Sequence, residues 1–328
     1  MRHELDFKIA GFGAALPARK LENPQLAAEL GVAPEWIEQR CGVRSRFVAE
    51  AETTSALGVA AARQALAMAP DKRPGLVICS TCTPDYRICP SAPSIAHALG
   101  LNGAGAFDLN GACAGGVIGL LTALTFLAVD GDSPILLVCS DTVSRFLDGG
   151  DCQTRIMIGD GAAALLLERG AGGGARLRSW TVGADGAGAD YFLVPGGGSA
   201  APRPTAGLQG AAWETAQMNG RAMFRFAVEK GAQVLRELCQ QGNVTFEEID
   251  WVLVHQANAR IIRSLQERTG IPPQRWLSNI GAVGNTAGAS IPLCLVEALS
   301  RGIPKPGDRV LVAGFGSGLT WAGLLAEW

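Results

Sequence analysis

The segment Phe107-Asp-Leu-Asn-Gly-Ala-Cys-Ala-Gly-Gly116 contains a cysteine where an apolar strand predicted over 104–109 turns into a helix predicted over 117–129. Cys113 therefore lies over the first backbone N–H groups of that helix. A helix N-terminus stabilises negative charge, so we expect the pKa of the thiol to be lowered. The small neighbours allow a carbonyl carbon to approach the sulfur. The pattern predicts a nucleophilic cysteine at a tight strand-to-helix turn.

Length, charge and the N-terminal residues limit the class of protein. The chain has 328 residues and a formal net charge of -2 at pH 7, and no basic stripe points to nucleic acid. Its first residues do not resemble a signal peptide. The longest apolar run, 117–129, is interpreted as too short to span a bilayer and contains Thr122 and Thr125. We therefore expect a cytoplasmic protein without a membrane partner, whose nine cysteines are mostly free thiols.

The order of elements indicates two similar halves. Short β-branched runs alternate with helical patterns, which predicts an α/β fold with parallel strands. The series of strand, tight turn with helix, and strand occurs twice, with 59 positions from Leu76 to Ile135 and 58 from Val252 to Val310. We interpret this as a duplicated unit, with an N-terminal half over 1–172 and a C-terminal half over 173–328.

The second half contains two further candidate catalytic residues. His255, one of three histidines, follows the apolar run Val252-Leu-Val, at the strand end where open α/β sheets bind ligands. Asn285 lies in Gly281-Ala-Val-Gly-Asn-Thr-Ala-Gly-Ala289, at the start of a predicted helix. Taken singly, the histidine could be structural and the asparagine an N-cap. A pseudo-twofold axis between the halves would bring both residues towards Cys113.

Together these motifs resemble those of the β-ketoacyl-acyl carrier protein synthase III family of the thiolase superfamily. The resemblance covers essentially the whole chain, and it implies a five-layered αβαβα sandwich made of two similar halves. The motifs are Gly-Ala-Cys-Ala-Gly around Cys113, His-Gln-Ala-Asn at 255–258, Gly-Asn-Thr-Ala-Gly-Ala at 284–289, Gly-Phe-Gly-Ser-Gly-Leu-Thr-Trp at 314–321, and Pro-Glu-Trp-Ile at 34–37 ahead of Arg40.

The resemblance implies a decarboxylative Claisen condensation by a homodimer, with no cofactor and no metal. Cys113 would take the acyl group of an acyl-coenzyme A or acyl-carrier-protein donor. A malonyl thioester, on an acyl carrier protein, would then enter, and neutral His255 and Asn285 would stabilise its enolate. The backbone N–H groups of Cys113 and Ser317 would hold the tetrahedral oxyanion. The product would be a β-ketoacyl thioester.

The resemblance also implies a set of substrate-binding residues, although core packing or a solvated surface explains the same residue types equally well. The set consists of Trp36, Arg40, Gly220, Phe224, Asn258, Arg260 and Phe315. Arg260 and Arg263, three apart on one helix face, could also meet an acidic carrier protein.

Three positions depart from the family pattern. Cys152 stands where an arginine would stack on a coenzyme A base, which weakens the expected grip on coenzyme A. Cys89 replaces an aromatic residue that, in some members, closes the acyl pocket from the partner subunit, and we therefore expect a roomier pocket. Ser317 replaces a common glycine, which is compatible with a role for its N–H alone.

Several alternatives use the same residues. A non-decarboxylating acyltransferase of this superfamily would pass the acyl group to an alcohol or amine, but Asn285 argues against it. An intact Cys113, His255 and Asn285 set argues against an inactive partner subunit. A papain-like protease carries its cysteine near the N-terminus, whereas Cys113 is mid-chain. Cys79-Ser-Thr-Cys82 could be a redox or zinc pair, although two small buried thiols explain it better, and Gly11-Phe-Gly13 lacks the third glycine of a dinucleotide motif.

Overall fold

The computed structural model describes residues 5–129, 133–170, 174–205 and 207–328. The β-strands in these ranges are β1 Leu5–Ala15, β2 Arg19–Glu22, β3 Ser45–Val48, β4 Leu76–Ser80, β5 Gly105–Leu109, β6 Ile135–Asp141, β7 Gly161–Arg169, β8 Ala175–Ala184, β9 Phe192–Leu193, β10 Gln217–Met218, β11 Trp251–Val254, β12 Arg309–Gly316 and β13 Thr320–Glu327. The α-helices are α1 Asn23–Leu30, α2 Pro34–Cys41, α3 Thr54–Ala67, α4 Ser91–Ala98, α5 Gly115–Val129, α6 Cys152–Arg155, α7 Ala211–Glu214, α8 Gly220–Gly242, α9 Ala259–Thr269, α10 Ile280–Val283 and α11 Ser290–Ser300. The 3-10 turns Ala112–Ala114 and Ala287–Ala289 precede α5 and α11.

The same strand pairing occurs twice. In the first half, β6 pairs in parallel with β4 and antiparallel with β7, and β7 pairs antiparallel with β1. In the second half, β12 pairs in parallel with β11 and antiparallel with β13, and β13 pairs antiparallel with β8. A parallel bridge between Val252 and Trp276 occupies the place that β5 holds beside β4. Leu5–Phe7 pairs with 175–177 and joins the two sheets.

Helices form three layers around these sheets. The middle layer contains α5, which contacts β4, β6, β12 and β13, and α11, which contacts β1, β7 and β11. The outer layers contain α3 and α4 on the first sheet and α8 with α9 on the second. This is the five-layered αβαβα sandwich of two similar halves that the family resemblance implied. The predicted boundary between 172 and 173 lies outside the described residues.

The middle layer explains the long apolar helix. A helix covered by sheets on both sides buries most of its circumference, so it is apolar all round. The helical stretch Ala112–Val129 has 18 residues, long and apolar enough to cross a membrane, and 61% of it is buried inside the protein. The expectation of a shorter run over 117–129 is wrong, because the 3-10 turn and the glycine pair after it extend the helix.

The glycines of β1 serve packing. A Cβ on Gly11 would lie 2.0 Å from the carbonyl oxygen of Ala65, and one on Gly13 would lie 2.2 Å from that of Ala61. Both carbonyls belong to α3, which packs directly on the strand. The Gly11-Phe-Gly13 pattern therefore reflects a close helix–strand contact.

Candidate active site

Cys113 lies in the 3-10 turn between β5 and α5, with only 9% of its surface exposed. The backbone N–H groups of Cys113 and Ser317 lie close enough to the thiol to lower its pKa. Gly316, at the end of β12, lies so close that a Cβ there would be 2.8 Å from both Cβ and N of Cys113. The second half therefore contributes a backbone donor to the sulfur, and only glycine permits this approach.

The prediction of a lowered thiol pKa is wrong. Burial raises the pKa of Cys113 to about 12, and the negative charge of Asp141 adds to the rise. The two backbone donors lower the pKa, but by less than these effects raise it. Cys113 is consequently a neutral thiol near pH 7.

His255 directly follows β11, and it is 2% exposed. Its Nδ1 lies 2.6 Å from the hydroxyl oxygen of Ser290, the first residue of α11. The ring meets that of Phe315 edge-on, with 5.8 Å between centroids. Burial lowers the pKa of His255 to about 3, so the imidazole is neutral at physiological pH. Among the described residues, nothing hydrogen-bonds to Nε2, which is left for a ligand.

Ser290 is a functional candidate that the sequence interpretation missed. Its hydroxyl also lies 3.4 Å from the backbone nitrogen of Gln256 and can accept from it. This second contact favours the arrangement in which Ser290 donates to Nδ1 and the proton of the neutral ring sits on Nε2. The available signal was a small polar residue immediately after the Gly-Asn-Thr-Ala-Gly-Ala segment, at the start of an apolar helix.

Asn285 is anchored by its own backbone. Its N–H donates to Met157 at 2.7 Å, and its carbonyl accepts from Gly159 at 2.9 Å. The side-chain Oδ1 accepts from the N–H of Ala287 at 3.0 Å, inside the 3-10 turn that leads to α11. Within the described chain, no hydrogen bond engages Nδ2, so this amide can donate to a ligand.

These residues meet where the two halves touch. Cys113 and Ala287 belong to one small buried apolar cluster, together with Val143 and Ile158. The 3-10 turns of the two halves contact each other, and a Cβ on Gly288 would lie 3.0 Å from the carbonyl oxygen of Ala112. His255 is tied to the same region through Ser290. The predicted catalytic residues thus come from elements that surround one location.

The predicted substrate-binding residues of α2 lie beside α9. Trp36 is 39% exposed, and Arg40 is exposed as well. A Cβ on Gly42, at the end of α2, would lie 2.3 Å from Cβ of Ala259, the first residue of α9. The helices α2 and α9 therefore lie side by side and form one continuous surface, here called the rim.

Further predicted residues belong to the same rim. Asn258 caps α9, with its Oδ1 accepting from the N–H of Arg260 at 2.9 Å. The guanidinium carbon of Arg260 lies 5.6 Å from the ring centroid of Phe224 on α8. Arg263 is also exposed. Gly220, the first residue of α8, faces Gln153, with 3.4 Å from a built Cβ to Oε1.

The two cysteines that depart from the family pattern lie in different parts of the structure. Cys89 is exposed, in a loop where Tyr86 and Ile88 are 70% and 97% exposed, and its contact with a partner subunit stays a prediction. Cys152 begins α6, whose N-cap is Asp151. Beside it is a cavity of about 280 Å³ whose charged lining residues are Asp148 and Asp151. The weakened grip on coenzyme A expected from Cys152 stays a prediction.

The Cys79–Cys82 pair belongs to the core. Cys79 is fully buried, and the Cys82 thiol donates to Oδ1 of Asp141 at 3.3 Å. All nine cysteines are free. In the described ranges, no group of three or more histidine, cysteine, aspartate or glutamate side chains is placed to hold a metal ion.

The duplicated αβαβα sandwich with its site between the halves defines a thiolase-type protein. Residues 107–186 match the family model described as 3-oxoacyl-[acyl-carrier-protein (ACP)] synthase III, and residues 239–328 match the model of its C-terminal part. The two matches together cover more than half of the chain. The chain belongs to the 3-oxoacyl-[acyl-carrier-protein] synthase III family.

Full-length relatives agree with this assignment. The chain is 38% identical to β-ketoacyl-[acyl-carrier-protein] synthase III of Synechocystis, with 98% of each chain covered. It is 39% identical to β-ketoacyl-[acyl-carrier-protein] synthase III 3 of Streptomyces coelicolor, covering 98% of this chain and 96% of the relative. The crystal structure of 3-oxoacyl-(acyl carrier protein) synthase III from Pseudomonas aeruginosa superimposes with a TM-score of 0.90 at 34% identity and 98% coverage of both chains. The protein is thus a ketosynthase III-type enzyme.

Proposed function

We propose that Cys113 takes an acyl group from an acyl thioester and that the acyl-enzyme condenses with a malonyl thioester. In the first step the sulfur of Cys113 bonds to the acyl carbon, the donor's C–S bond breaks, and the thiol proton leaves with the released thiol. In the second step the malonyl group loses CO₂, and its enolate carbon attacks the acyl carbon. The C–S bond to Cys113 then breaks, and the thiolate takes up one proton.

The observation that carries the proposal is the pair of backbone donors on the Cys113 sulfur. The N–H groups of Cys113 and Ser317 lie close enough to the atom that will bear the acyl group to lower its pKa. Each attack on that acyl carbon creates an oxyanion next to the sulfur. Fixed donors at such an oxygen each stabilise the transition state by about 2.7–4 kcal/mol.

A second donor pair supports the condensation step. His255 is neutral and has Nδ1 engaged by Ser290, so that Nε2–H can donate. Asn285 uses Oδ1 within its own turn, and no hydrogen bond in the described part of the chain engages Nδ2, which can therefore donate. Both groups would donate hydrogen bonds to the thioester carbonyl oxygen of the malonyl substrate as that oxygen becomes an enolate oxygen. Neutral donors suit this step, because decarboxylation generates the enolate without any proton transfer.

Surface charge supports an acyl carrier protein as the carrier of the malonyl group. Arg260 and Arg263 are exposed on α9, which forms one rim with α2, the helix that carries Trp36 and Arg40. Exposed arginines at an entrance favour association with an acidic partner. The acyl group would arrive on coenzyme A or on an acyl carrier protein.

We further propose a cytoplasmic homodimer that pairs through β5. This strand is the last in the sheet order and has a free edge in the described structure. Phe126 and Val129 of α5 are 44% and 85% exposed, and Ile88 in the nearby loop is 97% exposed. A free strand edge beside exposed apolar residues favours pairing with a second copy. Cys89, in the same loop, would then reach the partner's acyl pocket.

Intact-mass analysis with a panel of acyl thioesters tests the proposal. The native enzyme should gain the mass of its preferred acyl group, and Cys113→Ala should gain none while retaining slow decarboxylation of the malonyl thioester. Asn285→Ala should still become acylated but lose condensation by about 10²–10³-fold, the cost of one oxyanion donor.

Asp185→Ala is the matched control for Asn285→Ala. Asp185 accepts from the N–H two residues ahead at 3.0 Å, as Asn285 does, but in an exposed turn. Loss of the Asp185 side chain should leave both acylation and condensation intact. If Asn285→Ala blocked acylation and left condensation of preloaded enzyme normal, the assigned roles would be wrong.

A further inference from the structure

We propose that Asp141 is a positioning residue that holds the turn carrying Asn285 against the nucleophile's half of the enzyme. The inference rests on the proposed function, because it assigns Asp141 a role only through Asn285 and Cys113. Asp141 is the last residue of β6 and is fully buried. It touches neither the sulfur nor the amide in any described hydrogen bond, so its action on both is indirect.

From the described residues, the Asp141 carboxylate accepts five hydrogen bonds. Oδ2 accepts from the N–H of Gly288 at 2.9 Å, and Gly288 belongs to the second half. The four donors to Oδ1 all come from the segment after β4: Thr81 Oγ1 at 3.0 Å, Cys82 N at 2.8 Å, Cys82 Sγ at 3.3 Å and Thr83 Oγ1 at 3.1 Å. The carboxylate thus joins two strand ends of the first half to the 3-10 turn of the second.

The position of Gly288 makes this bond relevant to the chemistry. Gly288 lies between Asn285, whose Nδ2 is a proposed enolate donor, and Ser290, which holds Nδ1 of His255. A shift at Gly288 therefore moves both proposed donors together. Because an enolate donor works only at a fixed distance, a displacement of about 1 Å can cost about 10²-fold in rate.

Only a carboxylate satisfies these donors at both oxygens. An asparagine at 141 that kept its oxygen towards the segment after β4 would direct its NH₂ group at the N–H of Gly288, donor against donor. A buried N–H without an acceptor is unfavourable, so the turn would move away. Asp141→Asn therefore breaks the link between the halves while it preserves side-chain size.

The charge of Asp141 has a second effect, on the thiols around it. It raises the pKa of Cys113, and it also acts on Cys79, Cys82 and Cys139. All five donors to the carboxylate are neutral groups, so its charge is solvated but not cancelled. Loss of the charge must therefore lower the pKa of Cys113, a change that loss of packing alone would not produce.

The test compares Asp141→Asn with Asp160→Asn. Asp160 is equally buried and accepts from Ala49 N and from the N–H and hydroxyl of Ser144, all in the first half. Two quantities are measured: decarboxylation of malonyl-pantetheine, and the pH midpoint for alkylation of Cys113 by iodoacetamide. For Asp141→Asn we expect decarboxylation to fall by about 10–100-fold and the midpoint to move to lower pH, whereas Asp160→Asn should keep the native midpoint. Native values of both quantities in Asp141→Asn would overturn the inference.

Two further variants complete the design. Asn285→Ala must lose decarboxylation in the same assay. If Asn285→Ala keeps its decarboxylation activity, the proposed function is wrong. If Asn285→Ala loses decarboxylation while Asp141→Asn keeps native decarboxylation and a native alkylation midpoint, only the inference about Asp141 is wrong. If Asp141→Asn does not fold, Gly288→Ala replaces it, because its Cβ would lie 3.1 Å from Oδ2 and press on the same link. Unchanged decarboxylation in Gly288→Ala would then count against the role of Asp141.

Discussion

The 3-10 turn Ala112–Ala114 and the 3-10 turn Ala287–Ala289 have the same backbone form and carry different chemistry. Each begins with an alanine in the left-handed region, with φ of 46° at Ala112 and 48° at Ala287, and each leads into a central helix. The first turn presents a thiol from within itself. The second is preceded by the amide of Asn285 and followed by the hydroxyl of Ser290. The duplicated backbone thus supplies one geometry twice, and side chains divide the two half-reactions between the copies.

Each turn is supported by a strand end of the other half. The end of β6 reaches the second turn through the Asp141 carboxylate and Gly288. The end of β12 reaches the first turn through Gly316, where the missing side chain lets the backbone approach Cys113. The contact at the second turn therefore depends on the side chain of Asp141, whereas the contact at the first turn depends on the missing side chain of Gly316.

The largest difference between the two half-reactions should appear in how their rates respond to pH. Burial raises the pKa of Cys113 to about 12 and lowers that of His255 to about 3. Between about pH 5 and 8, acylation should therefore rise about tenfold per unit with the thiolate fraction, while condensation stays flat because neutral His255 does not change its charge. Rapid-quench mass spectrometry measures acylation, and product formation from preacylated enzyme measures condensation. A condensation rate that fell as the pH dropped from about 7 to 6 would contradict a neutral His255.

Gly316→Ala should break the contact of β12 with the first turn. The added Cβ lies 2.8 Å from Cβ and N of Cys113, so the turn or the strand must move. We expect acylation to fall by about 10²-fold, since the sulfur and its donors lose register. Gly198→Ala, at a position with open space around it, is the control and should acylate normally. Normal acylation in Gly316→Ala would show that the two halves approach less closely than described.

Ser290→Ala should affect only the half-reaction assigned to the second turn. It removes the 2.6 Å contact that orients the His255 ring. Condensation should fall by about tenfold, in line with loss of one orienting hydrogen bond of about 1–1.5 kcal/mol, and acylation should keep its native rate. Ser300→Ala, in which an exposed hydroxyl of the same helix is lost, serves as the control in both assays. Equal losses in acylation and condensation would mean that Ser290 supports the whole site.

The smallest effect concerns the two left-handed alanines themselves. Glycine at either position removes a cost of about 1–2 kcal/mol for the left-handed conformation and adds about 0.5–1 kcal/mol of backbone entropy. Ala112→Gly and Ala287→Gly should therefore each stabilise the fold by up to about 1.5 kcal/mol, as urea unfolding would show. Ala289→Gly, at φ of -78°, should instead destabilise it. Opposite signs at positions 112 and 287 would disprove the equivalence of the two turns.

Sequence patterns predicted the framework well because the framework depends on local signals. The strands Ile135–Asp141 and Arg309–Gly316 and the turn around Cys113 follow from apolar runs and glycine positions. The duplication follows from nearly equal spacings between them. The family motifs supplied the fold class and the type of enzyme, both of which are confirmed. The roles of individual residues stay predictions.

Sequence patterns failed where the outcome depends on distant parts of the chain. The pKa of Cys113 is set by burial and by Asp141, the last residue of the buried strand β6. Neither influence can be read from residues 107–116. The contact of Ser290 with His255 joins positions 35 residues apart. The start of α5 was misjudged because a 3-10 turn and a glycine pair carry little helical signal.

The strand order also has a consequence for how the chain reaches this fold. β1 precedes the other described strands in the chain, yet it lies between β7 and β8 in the middle of the sheet order. Leu5–Phe7 must wait for residues beyond 168 before either neighbour exists. β8 in turn waits for β13, near the far end of the sequence. Pairings this distant in the chain slow folding and leave apolar strands open to aggregation in the interim. Recombinant yield should consequently depend on how long these strands stay unpaired, and added chaperones should help more than changes at the surface.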